Sequence, residues 1–426
     1  MNENPSQDPN EKKRSKKWLL LGLVLLLLIG GCIAVFLIKG GGRAAGGMPV
    51  ITLDHSKGGH RLLINGKPFF IRGVCYNPVP VGQNFKHDFF GKNSPALTVD
   101  GDMMSKARIN TIRLYHAGTN AADTKMVVNG LHQKHGIFTL LGHHLAFWEW
   151  PPANYADPKF RDHLKDQVLE MVRTYKNEPG ILGWILGNEN NYSFDLDVRP
   201  WTSDEIDALA TPEERRLERA KIYYTFINDM AREVKKIDKR HPVIMGVGET
   251  KSLDIAAKYA TDIDVLGMIA YRGSSFGNLF REVKQKMDKP MMLIEFGCDR
   301  FNTITQKEEE NFQAEFIKMQ WRDILKNSAD IGGAKNCIGG TLFEWSDEWW
   351  KGNDTEVRSW SVQDSVAHWR NVAYYYDADK EGLNNMNEEW WGIVRLDPNK
   401  KVDGHDARIP TKAYNLIKQM WGAEKK

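Results

Sequence analysis

Eight short β-forming runs, separated by stretches with helical start signals, recur from about residue 60 to the C-terminus, and they restrict the fold more than any other feature. The runs are Phe69–Tyr76, Thr111–His116, Phe138–His143, Ile181–Gly187, Pro242–Val247, Val265–Tyr271, Met291–Phe296 and Ile338–Trp345. Each has strand length and is rich in branched or aromatic residues. Between them, Asp157 and Thr211 each stand before a proline, which sets a cap residue ahead of a proline at the first helical position. Thr211 with Glu214, and Thr305 with Glu308, also have the capping-box spacing. A last helix is expected from Thr411 to Trp421, after Pro410. Parallel strands are joined through crossover helices, and eight such units close a ring, so the expected fold is α/β, a (β/α)8 barrel with enlarged loops. The rival, a doubly wound open sheet, would carry a Gly-rich phosphate turn after its first strand, and Gly73-Val-Cys-Tyr-Asn77 is not one.

The front of the chain follows other rules. The basic segment Glu11-Lys-Lys-Arg-Ser-Lys-Lys17 precedes an uncharged, leucine-rich run from Trp18 to Ile38. At about 1.5 Å per residue that run crosses a hydrocarbon core of roughly 30 Å. Charge asymmetry then places the N-terminus in the cytoplasm and everything after residue 40 outside. The expected organisation is a basic tail (1–17), a transmembrane signal anchor (18–38), a flexible tether (39–59) that includes Gly40–Gly47, and one catalytic barrel (60–426), periplasmic or extracellular. A cleaved signal peptide is the alternative, with small residues at Ala44-Ala-Gly46, and Ile29-Gly-Gly-Cys32 has the look of a lipobox.

The first 43 residues hold seven Lys and Arg against three acids, while the whole chain carries +3. The remainder is therefore near neutral, and nothing in it calls for a nucleic-acid partner. With 42 % of its residues hydrophobic, the chain can bury a large core. Cys75, Cys298 and Cys337 are too scattered for a disulfide framework or a zinc site, though an oxidising compartment would permit a Cys75–Cys298 bridge.

In a barrel of this type the active site lies at the C-terminal ends of the strands. Those ends are polar here: Arg113 and His116, His143 and His144, Asn188 and Glu189, Glu249, Tyr271, Glu295, and Glu344 with Trp345. Glu189 and Glu295 fall on the fourth and seventh runs, each after a mostly apolar segment. Taken singly, either is explained by an ion pair at a strand end. Taken together they have the form that retaining glycoside hydrolysis requires, two carboxyl groups about 5–5.5 Å apart, one protonated and one ionised. Arg113 and Tyr271 can hold Glu295 ionised, while Glu189 beside the neutral Asn188 keeps its proton.

At this point residues 60–425 resemble the catalytic barrel of the clan A glycoside hydrolases, nearest to family 2 and the family 5-like enzymes. The residues that carry the resemblance are Ile64-Asn-Gly-Lys-Pro-Phe-Phe-Ile-Arg-Gly-Val74, Asn110-Thr-Ile-Arg-Leu114, Trp184-Ile-Leu-Gly-Asn-Glu189 and Ile294-Glu-Phe-Gly297. The resemblance implies Glu189 as acid/base and Glu295 as nucleophile, with Asn188 on the sugar 2-hydroxyl. It further implies Arg113 and Tyr271 as supports of the nucleophile and Trp345 as the floor of the subsite. Family 2 enzymes usually have β-sandwich domains before the barrel, where this chain has the apolar run and tether. A family 2 substrate is therefore not carried over.

Flat aromatic faces suit the C–H faces of sugar rings. Trp148 and Trp150 follow the third run, and Trp345, Trp349, Trp350, Trp390 and Trp391 lie in and beyond the eighth, so Trp345 and Trp148 or Trp150 are the cleft candidates. Ordinary packing of long loops explains the others. His116, His143 and His144 invite a metal reading, but the first run lacks the His-x-His pair common in metal-dependent barrel hydrolases, so His143 and His144 are assigned to sugar hydroxyls. No metal and no cofactor are called for. Glu344, Asp347 and Glu348 read as a partly solvated loop face, with Glu344 within reach of a sugar hydroxyl.

The chain is thus expected to be a membrane-anchored retaining glycosidase acting on a β-linked poly- or oligosaccharide. A transglycosylase using the same residues to remodel a β-glucan is the nearest alternative. A non-catalytic carbohydrate-binding partner of a polysaccharide export system is an alternative of another class, and the presence of both glutamates argues against it. The residues specify neither the sugar nor an oligomeric state.

Overall fold

The computed structural model describes residues 47–56, 58–352, 359–368 and 385–423. The basic tail and the apolar run 18–38 lie outside the described residues; among those described, no helix is long and apolar enough to cross a membrane.

Eight parallel strands close a barrel: β1 (Ile71–Cys75), β2 (Thr111–Leu114), β3 (Phe138–His143), β4 (Ile181–Leu186), β5 (Val243–Gly248), β6 (Val265–Ile269), β7 (Met291–Phe296) and β8 (Cys337–Leu342). They follow one another around the ring in chain order, and β8 closes on β1 with Gly339 opposite Ile71 and Leu342 opposite Val74. The closed parallel barrel therefore holds, and the open-sheet rival does not. Several strands stop one to three residues before the apolar runs do, which places Tyr115, Tyr271 and Trp345 on the loops just beyond the strand ends.

The main helices are α1 (Gly101–Lys106), α2 (Ala121–His135), α3 (Pro158–Tyr175), α4 (Pro212–Ile237), α5 (Leu253–Tyr259), α6 (Leu279–Lys286), α7 (Glu310–Lys326) and α8 (Lys412–Ala423). Asp157 caps α3 by accepting from Lys159 N at 2.9 Å, with Pro158 as first residue. Thr211 caps α4 in a reciprocal box with Glu214, each accepting the other's backbone N–H at 3.1 and 2.8 Å. The second box does not form. Lys307–Glu308 pairs instead with Phe301–Asn302 as a short hairpin, and α7 starts after Glu309 without a side-chain cap.

Successive side chains along each strand alternate between the barrel interior and the surrounding helices. Leu140, Ile185, Ile244, Ile269, Met292 and Ile294 fill the barrel, while Leu141, Trp184, Leu186 and Met245 pack outward with Val128, Val168, Val172, Ile227 and Val234 of the surrounding helices. A strand covered on both faces reads as a continuous apolar run, which is why the runs were visible in the sequence. The tether expected over 39–59 ends early: Ile51–Asp54 pairs with Arg61–Ile64, and Ile51 and Leu62 join the barrel interior near Phe138 and Ile71, the first residues of their strands. This small sheet plugs the N-terminal mouth and leaves the opposite mouth for the polar strand ends.

Candidate active site

Glu295 sits at the end of β7 and is almost fully buried. Its Oε1 accepts hydrogen bonds from Arg113 Nη1 at 2.7 Å and Tyr115 OH at 2.8 Å, and its Oε2 accepts one from Tyr271 OH at 2.8 Å. The carboxylate is thus surrounded by donors and shares its charge with a buried guanidinium. Arg113 is fixed in turn: Nη1 also donates to Ile294 O at 2.9 Å, and Nη2 donates to Asn188 Oδ1 at 2.5 Å. Arg113 and Tyr115 are two residues apart at the end of β2, so strand alternation sends both toward the same side. His116, one residue further, is exposed and its Nδ1 donates to Ala117 O at 2.9 Å. Tyr115 was missed in the sequence, although this alternation from Arg113 pointed to it.

The other carboxyl follows β4 in the segment Gly187-Asn-Glu-Asn-Asn191. Gly187 has φ +83°, and a Cβ there would lie 2.6 Å from Asn190 Oδ1 and 2.7 Å from Tyr223 OH, so only glycine makes this turn. Glu189 itself has φ +60°, a left-handed conformation that costs a non-glycine residue of order 1–3 kcal/mol and is tolerated where surroundings impose it. Asn190 imposes it by accepting from Asn188 N at 2.6 Å and donating to His144 O at 2.9 Å and Tyr155 OH at 2.7 Å. Asn191 ties the same turn to β5 through Gly248, donating at 2.6 Å and accepting at 2.9 Å. Neither asparagine was singled out in the sequence. Burial first, then the Glu295 and Glu388 carboxylates, push the Glu189 carboxyl up to about 8, against a weaker pull from Lys351 and Arg113. One carboxylate held by three donors therefore faces a second carboxyl that retains its proton.

The remaining expected residues divide. His144 stacks on Tyr115 with centroids 5.4 Å apart and planes within 10°. Burial holds its pKa down to about 3 and that of His143 to about 4, so both are neutral. His143 Nδ1 accepts from Leu145 N at 3.1 Å. The three imidazoles are engaged separately, and among the described residues no group of three or more His, Cys, Asp or Glu is disposed to hold a metal ion. Trp148 lies at the surface against Phe147 and under the Arg199 guanidinium. Trp345 is a correction: it is 0 % exposed, packs on Tyr414 and offers no face to the barrel mouth. Its backbone is drawn into the wall, N donating to Cys75 O at 3.0 Å and O accepting from Val394 N at 3.0 Å. Trp391 and Phe343 lie next to Tyr271, their ring centroids 5.1 and 6.5 Å from its own.

The supposed solvated face is also corrected. Glu344, Asp347 and Glu348 are all buried. Asp347 pairs with Arg300 through two contacts of 2.6 and 2.5 Å, a structural role. Glu348 accepts from Asn77 Nδ2 at 2.6 Å and pairs with Lys351 Nζ at 3.0 Å. Lys351 reaches Glu388 at 3.3 Å and lies 4.4 Å from the Phe343 ring centroid. Burial, then Glu348, raises the Glu344 carboxyl well above the ordinary range. Cys75, Cys298 and Cys337 are free and buried, so the Cys75–Cys298 bridge is absent.

Comparison with known proteins fits this geometry. Among solved structures, the barrel is similar to a GH2 β-galacturonidase from Eisenbergiella tayi bound to galacturonate (16 % identity, TM-score 0.54, 88 % of this chain and 54 % of that one). It is also similar to a β-glucuronidase from Bacteroides uniformis (18 % identity, TM-score 0.51, 88 % and 37 %). At such identity the likeness is one of fold. Two curated β-galactosidases match in sequence: that of Leuconostoc mesenteroides is 28 % identical over 144 residues, and that of Oenococcus oeni 27 % over 138. These matches cover 32 % and 31 % of this chain and 12 % of each relative, so the chain matches only a small part of those proteins' length. The model of the TIM barrel domain of glycosyl hydrolases family 2 matches residues 57–343, well over half of the sequence. The chain belongs to glycosyl hydrolase family 2, through that family's TIM barrel domain.

Proposed function

We propose that this protein is a retaining glycosidase that cleaves a β-linked glycan by double displacement, with Glu295 as nucleophile and Glu189 as acid/base. The observation that carries the reading is the unequal treatment of two like residues: Glu295 accepts from Arg113, Tyr115 and Tyr271, while burial and the Glu295 charge keep Glu189 protonated. In the first half, a Glu295 oxygen bonds to the anomeric carbon as the glycosidic C–O bond breaks, and the Glu189 proton passes to the leaving oxygen. In the second, Glu189, now ionised, takes a proton from water as the water oxygen displaces Glu295. Asn188, held through its Oδ1 by Arg113, keeps its amide N–H groups for the sugar 2-hydroxyl. β-Linkage agrees with the names of the relatives, all β-glycosidases.

Trapping with a 2-fluoro β-glycoside and mapping the labelled peptide tests this. A label on Glu295, and a kcat loss of at least about a thousandfold in Glu295→Gln, are the expected results. Full activity in that variant would refute the reading. The basic cluster before the apolar run at residues 18–38 supports an anchored protein with its barrel outside the cytoplasmic membrane. Carbonate extraction should leave the full-length chain in the pellet; its release would count against the anchor.

A further inference from the structure

Beside the catalytic pair stands a wall of side chains that the double displacement does not use. Lys351 lies against the Phe343 ring, Phe343 packs on Tyr271, and the Tyr271 hydroxyl holds Glu295, so the wall is continuous with the nucleophile's support. Lys351 Nζ is shared between Glu348 at 3.0 Å and Glu388 at 3.3 Å, and the second oxygen of Glu348 is taken by Asn77. Glu344, only 1 % exposed, has its Oε1 buried without a hydrogen-bond partner. A buried carboxyl oxygen left unpartnered has given up its water without replacement, a loss that a bound donor would restore.

Resting on the glycosidase reading, we propose that Glu344, Glu348, Lys351 and Glu388 form the sugar-recognising wall of the cleft, and that this wall accepts a neutral, hydroxylated sugar and rejects a uronate. The reason is the charge arrangement. Among the described residues, the two cations of this region are each already ion-paired, Arg113 with Glu295 and Lys351 with Glu348 and Glu388. A sugar hydroxyl supplies the donor that Glu344 Oε1 lacks and brings no charge. A substrate carboxylate would arrive as an added anion, and among the described residues the wall has no unpaired cation to receive it. The structural neighbours named for galacturonate and glucuronate chemistry share the barrel, so selection between neutral and acidic sugars has to lie in side chains such as these.

The test is calorimetric binding to the full-length chain in detergent, using hydrolysis-resistant methyl 1-thio-β-glycosides in two matched pairs: glucoside with glucuronide, and galactoside with galacturonide. In at least one pair the neutral member should bind at least about tenfold more tightly than its uronate. In Glu388→Gln, which releases Lys351 from one of its carboxylates, that ratio should narrow about threefold or more. Because both ligands meet the same sample, the ratio does not depend on how much of the variant is folded. Uronate binding as tight as or tighter than neutral binding would overturn the proposal, as would binding of no member of either pair, or an unchanged ratio in Glu388→Gln. Binding needs no turnover. A neutral preference found together with an unlabelled Glu295 would therefore remove the glycosidase reading and leave the wall standing.

Discussion

Glu189 and Glu295 are the same residue type at corresponding strand ends, and only their neighbours set them apart. Glu295 is surrounded by donors; Glu189 is half-buried, close to other carboxylates, and pushed up to about 8. The sign of the consequence is fixed by linkage. Between the ordinary 4.5 of the unfolded chain and about 8, the folded state holds a proton on Glu189 that the unfolded state has lost, so this residue lowers stability progressively as pH rises through that window. Glu189→Gln should therefore be more stable than the wild type at pH 8, by about 1–3 kcal/mol, with the gain vanishing toward pH 4.5. Thermal melts across pH decide this; a gain that is largest at low pH would contradict it. In the wild type, kcat/KM should fall as pH rises through about 8, because the acid form is then lost.

At the level of elements, the apolar runs and helix caps were legible because they depend on neighbours close in sequence. Thr211 and Glu214 needed only three residues to find each other. Thr211→Ala should lower stability by about 1 kcal/mol, read as a lower Tm, with kcat unchanged because the start of α4 is solvent-exposed. Thr305 and Glu308 have the same spacing and form no box, since Glu308 is drawn into the hairpin with Phe301 and bonded by Arg300 at 2.7 Å. A spacing signal holds only where tertiary partners make no rival claim. The loop after β8 shows the same limit: Trp345 was read as a cleft residue, but the contacts with Cys75, Val394 and Tyr414 that bury it come from distant parts of the chain.

At the scale of the whole domain, the thiols report on the closed barrel. Burial pushes Cys75 and Cys337 up to about 12 and raises Cys298 well above its usual range, so none is a thiolate at neutral pH. A thiol reagent such as DTNB should leave Cys75, Cys298 and Cys337 unmodified in the native protein and titrate all three after denaturation, with no effect of prior reduction on Tm. Modification of any of the three in the folded state would be inconsistent with the packing described. Closure also explains the site's assembly, because Glu295 meets a guanidinium 182 residues earlier in the chain only when the ring brings β2 and β7 to the same mouth.

By itself the sequence determined the eight barrel strands, the helix starts at Asp157 and Thr211, and the positions of the two glutamates, since apolar runs, cap spacings and a polar residue ending a buried strand are all local patterns. Only the tertiary structure decided that Tyr115 joins the donors around Glu295, that Asn190 and Asn191 hold the turn at Glu189, and that Trp345 belongs to the core. It also brought Lys351, Glu348 and Glu388 together, with Lys351 against the Phe343 ring. Those assignments depend on which strands face each other across a closed ring and which groups lose water there, and neither is specified by neighbours along the chain.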